Sequence, residues 1–138
     1  MFYLDTNIFL YSIDKSSPHM SSCKKLLELA VKNDIQIATS VETIQEIIHF
    51  LKRTGKIEEG IMFSRNLMKI VHLLIPVDHE MLKAYLTLAE KYKNEDIQSR
   101  DLMHLAACLQ SRLSTAVTYD NGFKIFNEIK VKKPEDVI

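Results

Sequence analysis

Four carboxylates, Asp5, Glu46, Asp101 and Asp120, are the residues through which chemistry would run in this 138-residue chain. Asp5 follows the apolar run Phe2-Tyr3-Leu4, and Asp120 follows Thr115 to Tyr119. Both runs have the pattern of buried strands that end in polar turns. Ligands of an open parallel sheet bind outside the carboxyl ends of its strands. Two such strands, if parallel and near neighbours, would bring Asp5 and Asp120 to one edge, and like charges gathered there call for a cation. Turn chemistry is the competing reading, because Asp bonds its local backbone and Asp5-Thr6-Asn7 and Asp120-Asn121-Gly122 suit it equally. Asp101 falls in the first turn of an apolar helix, where the helix dipole favours an acid. His104 lies one turn further on; a lone histidine on an apolar face usually serves packing, and His104 receives no catalytic role. On a helical wheel Glu46 lies opposite the stripe Ile44, Ile47, Ile48 and Leu51, near Glu42, His49 and Arg53, which describes a solvated face. Asp78 follows a third apolar run and reads as a helix cap.

Other chemistries are missing from the sequence. It contains no glycine-rich phosphate loop and no Gly-x-Ser-x-Gly elbow, and no paired His or Cys spacing that suggests zinc. Separated carboxylates, as oxygen donors, suit Mg²⁺ or Mn²⁺.

The elements that must position these acids alternate along the chain. Strands are expected at Phe2 to Leu4, Ile35 to Ala38, Leu73 to Val77, Thr115 to Tyr119 and Lys130 to Lys132. Helices are expected over Ile8 to Ile13, Pro18 to Lys32, Thr39 to Arg53, Ile57 to Val71 and Asp78 to Tyr92, and in an apolar segment opened by Ser99. A short helix is expected at Phe123 to Phe126. Thr39 and Glu42 are spaced as a capping box, Gly60 is a weak point in its helix, and Pro76 marks a strand end or edge. Strands separated by helices imply βαβ crossovers. The expected fold is α/β, a three-layer sandwich with a central, mainly parallel sheet of four or five strands flanked by helices, in one domain over residues 1–138.

Composition narrows the classes of function. Eighteen basic and 18 acidic side chains balance, which excludes a strongly basic nucleic-acid coat. Hydrophobic content of 46% with 26% charged residues excludes disorder. Cys23 and Cys108 form no Cys-x-x-Cys pair and read as packed, reduced thiols. No secretory signal and no apolar stretch of roughly 20 residues is present, so a soluble, cytoplasmic protein without membrane contact is expected.

Phe2-Tyr3-Leu4-Asp5-Thr6-Asn7 resembles the opening motif of PIN-domain ribonucleases. Thr39-Ser40 followed by Glu46 resembles their second motif, Arg100 to Ala107 their third, and Thr118-Tyr119-Asp120-Asn121-Gly122-Phe123 their fourth. The order and spacing run over essentially the whole chain, and the closest likeness is to VapC-type toxins of toxin–antitoxin pairs. That resemblance implies a metal-dependent endoribonuclease with Asp5, Glu46, Asp101 and Asp120 as one acidic pocket holding Mg²⁺ or Mn²⁺. Glu46 is thereby moved from the solvated face to the site. Thr6, Asn7 and Thr118 would orient the carboxylates, and Ser40 would cap its helix. Attack by an activated water would leave a 5′-phosphate and a 3′-hydroxyl.

An RNA substrate, an antitoxin protein and a homodimer are the partners so implied. With the four pocket acids set aside, 18 basic side chains face 14 acidic ones. Lys52, Arg53, Lys56, Arg100, Lys124, Lys130, Lys132 and Lys133 are then candidates for a phosphate-binding rim. Met62, Phe63, Leu67 and Met68 are candidates for a partner face or for ordinary packing. Alternatives within the fold are an RNA-processing nuclease without an antitoxin and a catalytically silent binding module. A haloacid dehalogenase-like phosphatase is disfavoured because Asn7 stands where Asp-x-Asp requires a second acid.

Overall fold

A computed structural model describes residues 1–138. The chain runs β1 (Phe2–Leu4), α1 (Thr6–Ile13), α2 (Met20–Val31), β2 (Ile37–Ser40), α3 (Val41–Arg53), α4 (Ile57–Ile70), β3 (Leu73–Ile75), α5 (His79–Lys91), α6 (Ser99–Gln110), β4 (Thr115–Val117) and β5 (Lys130–Lys132). Short 3₁₀ helices follow β4 at Asn121–Ile125 and β5 at Pro134–Asp136. The strands form one sheet in the order β3-β2-β1-β4-β5, with every pairing parallel. Successive connections step from β1 outward to β3, then return to the other side of β1 with β4. The strand order therefore reverses between β1 and β4, at the point where a parallel sheet opens a crevice.

Alternation along the strands divides the core in two. Tyr3, Ala38 and Ala116 face α5 and α6, where they pack with Met81, Leu88, Leu102 and Leu105. Leu4, Ile37 and Val117 face the other side, against Ile8 and Phe9 of α1, Leu26 of α2, Ile47 and Leu51 of α3, and Leu67 of α4. Small side chains let α6 lie close on its face: Ala106 and Ala107 meet Ala38 and Ala116 within one fully buried cluster. No helix is long and apolar enough to cross a membrane.

Several expected boundaries shift for local reasons. Helix α1 starts at Thr6, two residues early, because Asp5 caps it by accepting from the Thr6 N–H at 2.7 Å. The expected Thr39–Glu42 capping box does not form, because Thr39 is a buried strand residue paired in register with Leu74. Its hydroxyl donates to the Leu4 carbonyl (2.9 Å). Ser40 occupies the N-cap position of α3 but makes no capping bond; its hydroxyl meets Tyr3 instead. Ser99 is likewise not a cap, since α6 begins at that residue with Gln98 before it. Asp78 does cap α5, accepting from Met81 N–H at 2.9 Å. Cys23 and Cys108 are buried free thiols.

Helix α3, which carries Glu46, is held by α4 at Gly60. A β-carbon at Gly60 would lie 3.1 Å from Leu51 Cβ and 3.3 Å from Leu51 Cδ1, so the weak point in the helix is a close helix–helix approach. Gly60→Leu should overpack that contact and destabilise the chain by about 1–3 kcal/mol. Urea titration should show a lower midpoint at unchanged slope.

Candidate active site

Asp5 at the end of β1 and Asp120, three residues beyond β4, are brought together because the two strands are parallel neighbours, with Leu4 opposite Val117. Helix α6 supplies Asp101 and His104 from one side and α3 supplies Glu46 from the other. All four acids line one cavity of about 350 Å³, together with Thr6, Asn7, His49, Arg53, Gln98, Arg100 and His104. A larger cavity of about 600 Å³ shares its Leu10 and Phe50 wall and holds no cluster of acids.

Asp5 is buried and has both oxygens committed. Oδ1 accepts from Thr6 N–H, while Oδ2 accepts from the Thr118 hydroxyl at 2.6 Å and the Asn7 amide at 2.9 Å. Asn7 also donates to Thr118 (2.9 Å), and its carbonyl oxygen accepts from the Tyr119 N–H. Thr6, Asn7 and Thr118 thus all touch an acid of the cavity. Asp120 accepts from Gly122 N–H at 2.8 Å, which opens the 3₁₀ helix. The turn chemistry read from the sequence is real at both positions, and it aims the carboxylates.

Glu46 departs from its helical-wheel position. The buried face of α3 is Thr43, Ile47 and Leu51, and Glu46 sits beside it with its side chain only 10% exposed. A polar cavity lines this flank, so the apolar stripe marks the wrong boundary. Glu46 Oε2 accepts from the Thr6 hydroxyl and bonds His104 Nε2 at 2.9 Å. Oε1 lies 3.8 Å from Arg100 Nε, a looser contact with an exposed side chain.

His104, which receives no catalytic role from the sequence, lines the cavity and bonds one of its acids. It is buried, with Nδ1 2.6 Å from the Tyr3 hydroxyl and Nε2 3.7 Å from Asp5 Oδ1. The sequence carried a signal for it: Tyr3 is a phenol on a buried strand, and a buried phenol needs a polar partner. Of the proposed basic rim, Arg53 and Arg100 line the cavity and Lys56 lines its larger neighbour. Lys52, Lys124, Lys130, Lys132 and Lys133 do not line it.

The charges in the cavity oppose one another. Burial pushes the Asp101 carboxyl up to about 6, helped by the negative charges of Asp120, Asp5 and Glu46. Burial also raises Asp5, against the His104 charge and the Thr118 and Thr6 hydrogen bonds. At Glu46 burial is outweighed by the His104 and Thr6 bonds and by the His104 and Arg100 charges, leaving it below its ordinary range. His104 itself is raised, because Glu46 and the nearby acids outweigh its burial.

The pattern of the PIN domain matches residues 2–129. This chain belongs to the PIN-domain family. The PIN domain here is 26% identical over 133 residues to ribonuclease VapC13 of Mycobacterium tuberculosis, covering 94% of this chain and 98% of that one. It is 24% identical over 121 residues to ribonuclease VapC23 of the same organism, covering 88% and 94%. Among solved structures it resembles VapBC2 from Rickettsia felis bound to a promoter DNA fragment, with TM-score 0.77, 25% identity and coverage of 96% and 98%.

One consequence of the crowded acids is measurable in the PIN domain without metal. The Asp101 carboxyl holds its proton up to about 6 when folded, against 3.8 ordinarily. The folded state therefore binds more protons between those values, and stability falls as pH rises through that window. Asp101→Asn removes this penalty. In thermal melts with EDTA the variant should exceed wild type at neutral pH, by a margin that shrinks as pH falls toward 3.8.

Proposed function

We propose that this PIN domain is the endoribonuclease toxin of a toxin–antitoxin pair, hydrolysing RNA phosphodiester bonds with Mg²⁺ or Mn²⁺ at the acidic cavity. The observation that carries the reading is the convergence of Asp5, Glu46, Asp101 and Asp120 on one cavity at the β1/β4 switch point. The relatives named VapC ribonucleases and the VapBC complexes support the activity and an antitoxin partner. The toxin acts in the cytoplasm as a homodimer, for which the exposed Met62 and Met68 of α4 offer apolar surface. Phe63 and Leu67 serve the core instead.

The donor set fits a hard cation. All four acids offer oxygen, and Asp101 is crowded by burial and like charge with no hydrogen bond relieving it. No three His, Cys, Asp or Glu groups stand close enough to enclose an ion by themselves. Mg²⁺ tolerates that arrangement, because it usually keeps several waters and takes one or two carboxylates. Asp5, Glu46, Asp101 and Asp120 would share the ion, one or two of them bonding it directly and waters linking it to the others. When bound, a divalent ion lowers the pKa of a water and neutralises charge building on the scissile phosphate.

The remaining steps fall to the chain's own residues. Arg53 and Arg100 on the cavity wall take phosphate oxygens flanking the scissile group and set the backbone register. Thr118 and Asn7 keep Asp5 from rotating as the phosphate approaches. A single strand or loop is the substrate form that can lower its backbone into an opening of this size.

Purified protein should cleave a structured RNA pool with Mg²⁺ or Mn²⁺ and stop on addition of EDTA. Asp5→Asn should reduce cleavage by about a hundredfold or more, as loss of a fixed charge at a phosphoryl site does. Undiminished cleavage by that variant would remove the acidic cavity from the reaction.

A further inference from the structure

Tyr3 and His104 are fully buried on an otherwise apolar layer. The α6 neighbours of His104 are Leu102, Leu105, Ala106 and Ala107, and the sheet neighbours of Tyr3 are Ala38 and Ala116. Phe and Leu would fill those places without a polar group to satisfy. The polar atoms of the pair are all engaged, along one line. Ser40 Oγ lies 3.0 Å from the Tyr3 oxygen, that oxygen lies 2.6 Å from His104 Nδ1, and His104 Nε2 lies 2.9 Å from Glu46 Oε2. The line starts at the end of β2, crosses β1 and α6, and finishes on α3.

We infer that Tyr3 and His104 are the positioning pair of the nuclease site, holding Glu46 Oε2 inside the protein so that Oε1 is the oxygen turned to the cavity. This rests on the nuclease reading above. Glu46 needs such a device more than Asp5 or Asp120. Those two are short side chains fixed by their own backbone turns, whereas Glu46 projects from a helix on a longer, freer stem. Its only other cationic neighbour, Arg100, is 55% exposed, and Glu46 could follow it out of the cavity. The Tyr3 hydroxyl sets the plane of the imidazole, and the imidazole sets the carboxylate.

Three substitutions separate positioning from packing. His104→Leu removes the donor at similar volume, His104→Gln keeps an N–H at the place of Nε2, and Tyr3→Phe removes only the hydroxyl. Each is read by calorimetric titration with Mn²⁺ and by kcat and KM for RNA cleavage. His104→Leu should weaken Mn²⁺ binding and lower kcat by about 10–100-fold with KM nearly unchanged, the size of effect seen when a group orienting a ligand is lost. His104→Gln should recover most of that loss. Tyr3→Phe should show a smaller loss of the same kind in the wild-type background and none in the His104→Leu background. Tyr3→Phe with wild-type binding and kcat overturns the inference, whether or not His104→Leu folds, and so does a Tyr3→Phe loss that persists beside His104→Leu. A wild-type chain that neither binds Mn²⁺ nor cleaves RNA removes the nuclease reading along with it.

Discussion

Packing several carboxylates against one another at the edge of a parallel sheet is unfavourable, and much of this structure compensates for that repulsion. Asp5 is almost inaccessible and Asp101 is half-buried, and each lies within the field of other acids. Hydrogen-bond donors gather around the acids that can be reached from the backbone. Thr6, Asn7 and Thr118 serve Asp5, Gly122 serves Asp120, and Thr6 and His104 serve Glu46. Asp101 is left as the acid with burial and like charge but no such relief. The order of the strands matters for the same reason. Had β4 not returned beside β1, Asp120 would lie away from Asp5 and its charge would no longer act on Asp101.

Much of this arrangement was legible in the sequence because it follows from short-range rules. Apolar triplets that end in Asp mark β1 and, with less accuracy at its end, β4. Alternation of strands and helices implies parallel crossovers, and the reversal of order then places the two aspartates together. At Asp5 and Asp120 turn bonding and a place on the cavity wall do not compete. Each aspartate bonds its local backbone and also lines the cavity.

What escaped the sequence depended on which neighbours a side chain meets across the fold. A helical wheel ranks faces by hydrophobicity, so it assigns Glu46 to water when the surface opposite is itself polar. Resemblance to a family placed Glu46 in the pocket; periodicity had no means of doing so. The Thr39–Glu42 spacing satisfies a local capping rule, but β2 continues through Ser40 because pairing with β3 reaches that far. His104 is hidden for a related reason. Its partners, Tyr3 and Glu46, are 101 and 58 residues away, and no window along α6 contains either.

The pairing of β1 with β4 has a consequence for the way the molecule comes into being. Asp5 meets its Thr118 partner across 113 residues of sequence, so the first strand waits through most of the polypeptide before its second neighbour arrives. Contacts of such long range form late and slowly in folding. During synthesis Asp5, Glu46 and Asp101 emerge before the strand that closes the crevice around them. A growing chain that has not yet delivered β4 and Asp120 holds three of the acids and no cavity. Topology by itself therefore withholds the complete acidic cavity until the last strands of the sheet have been made.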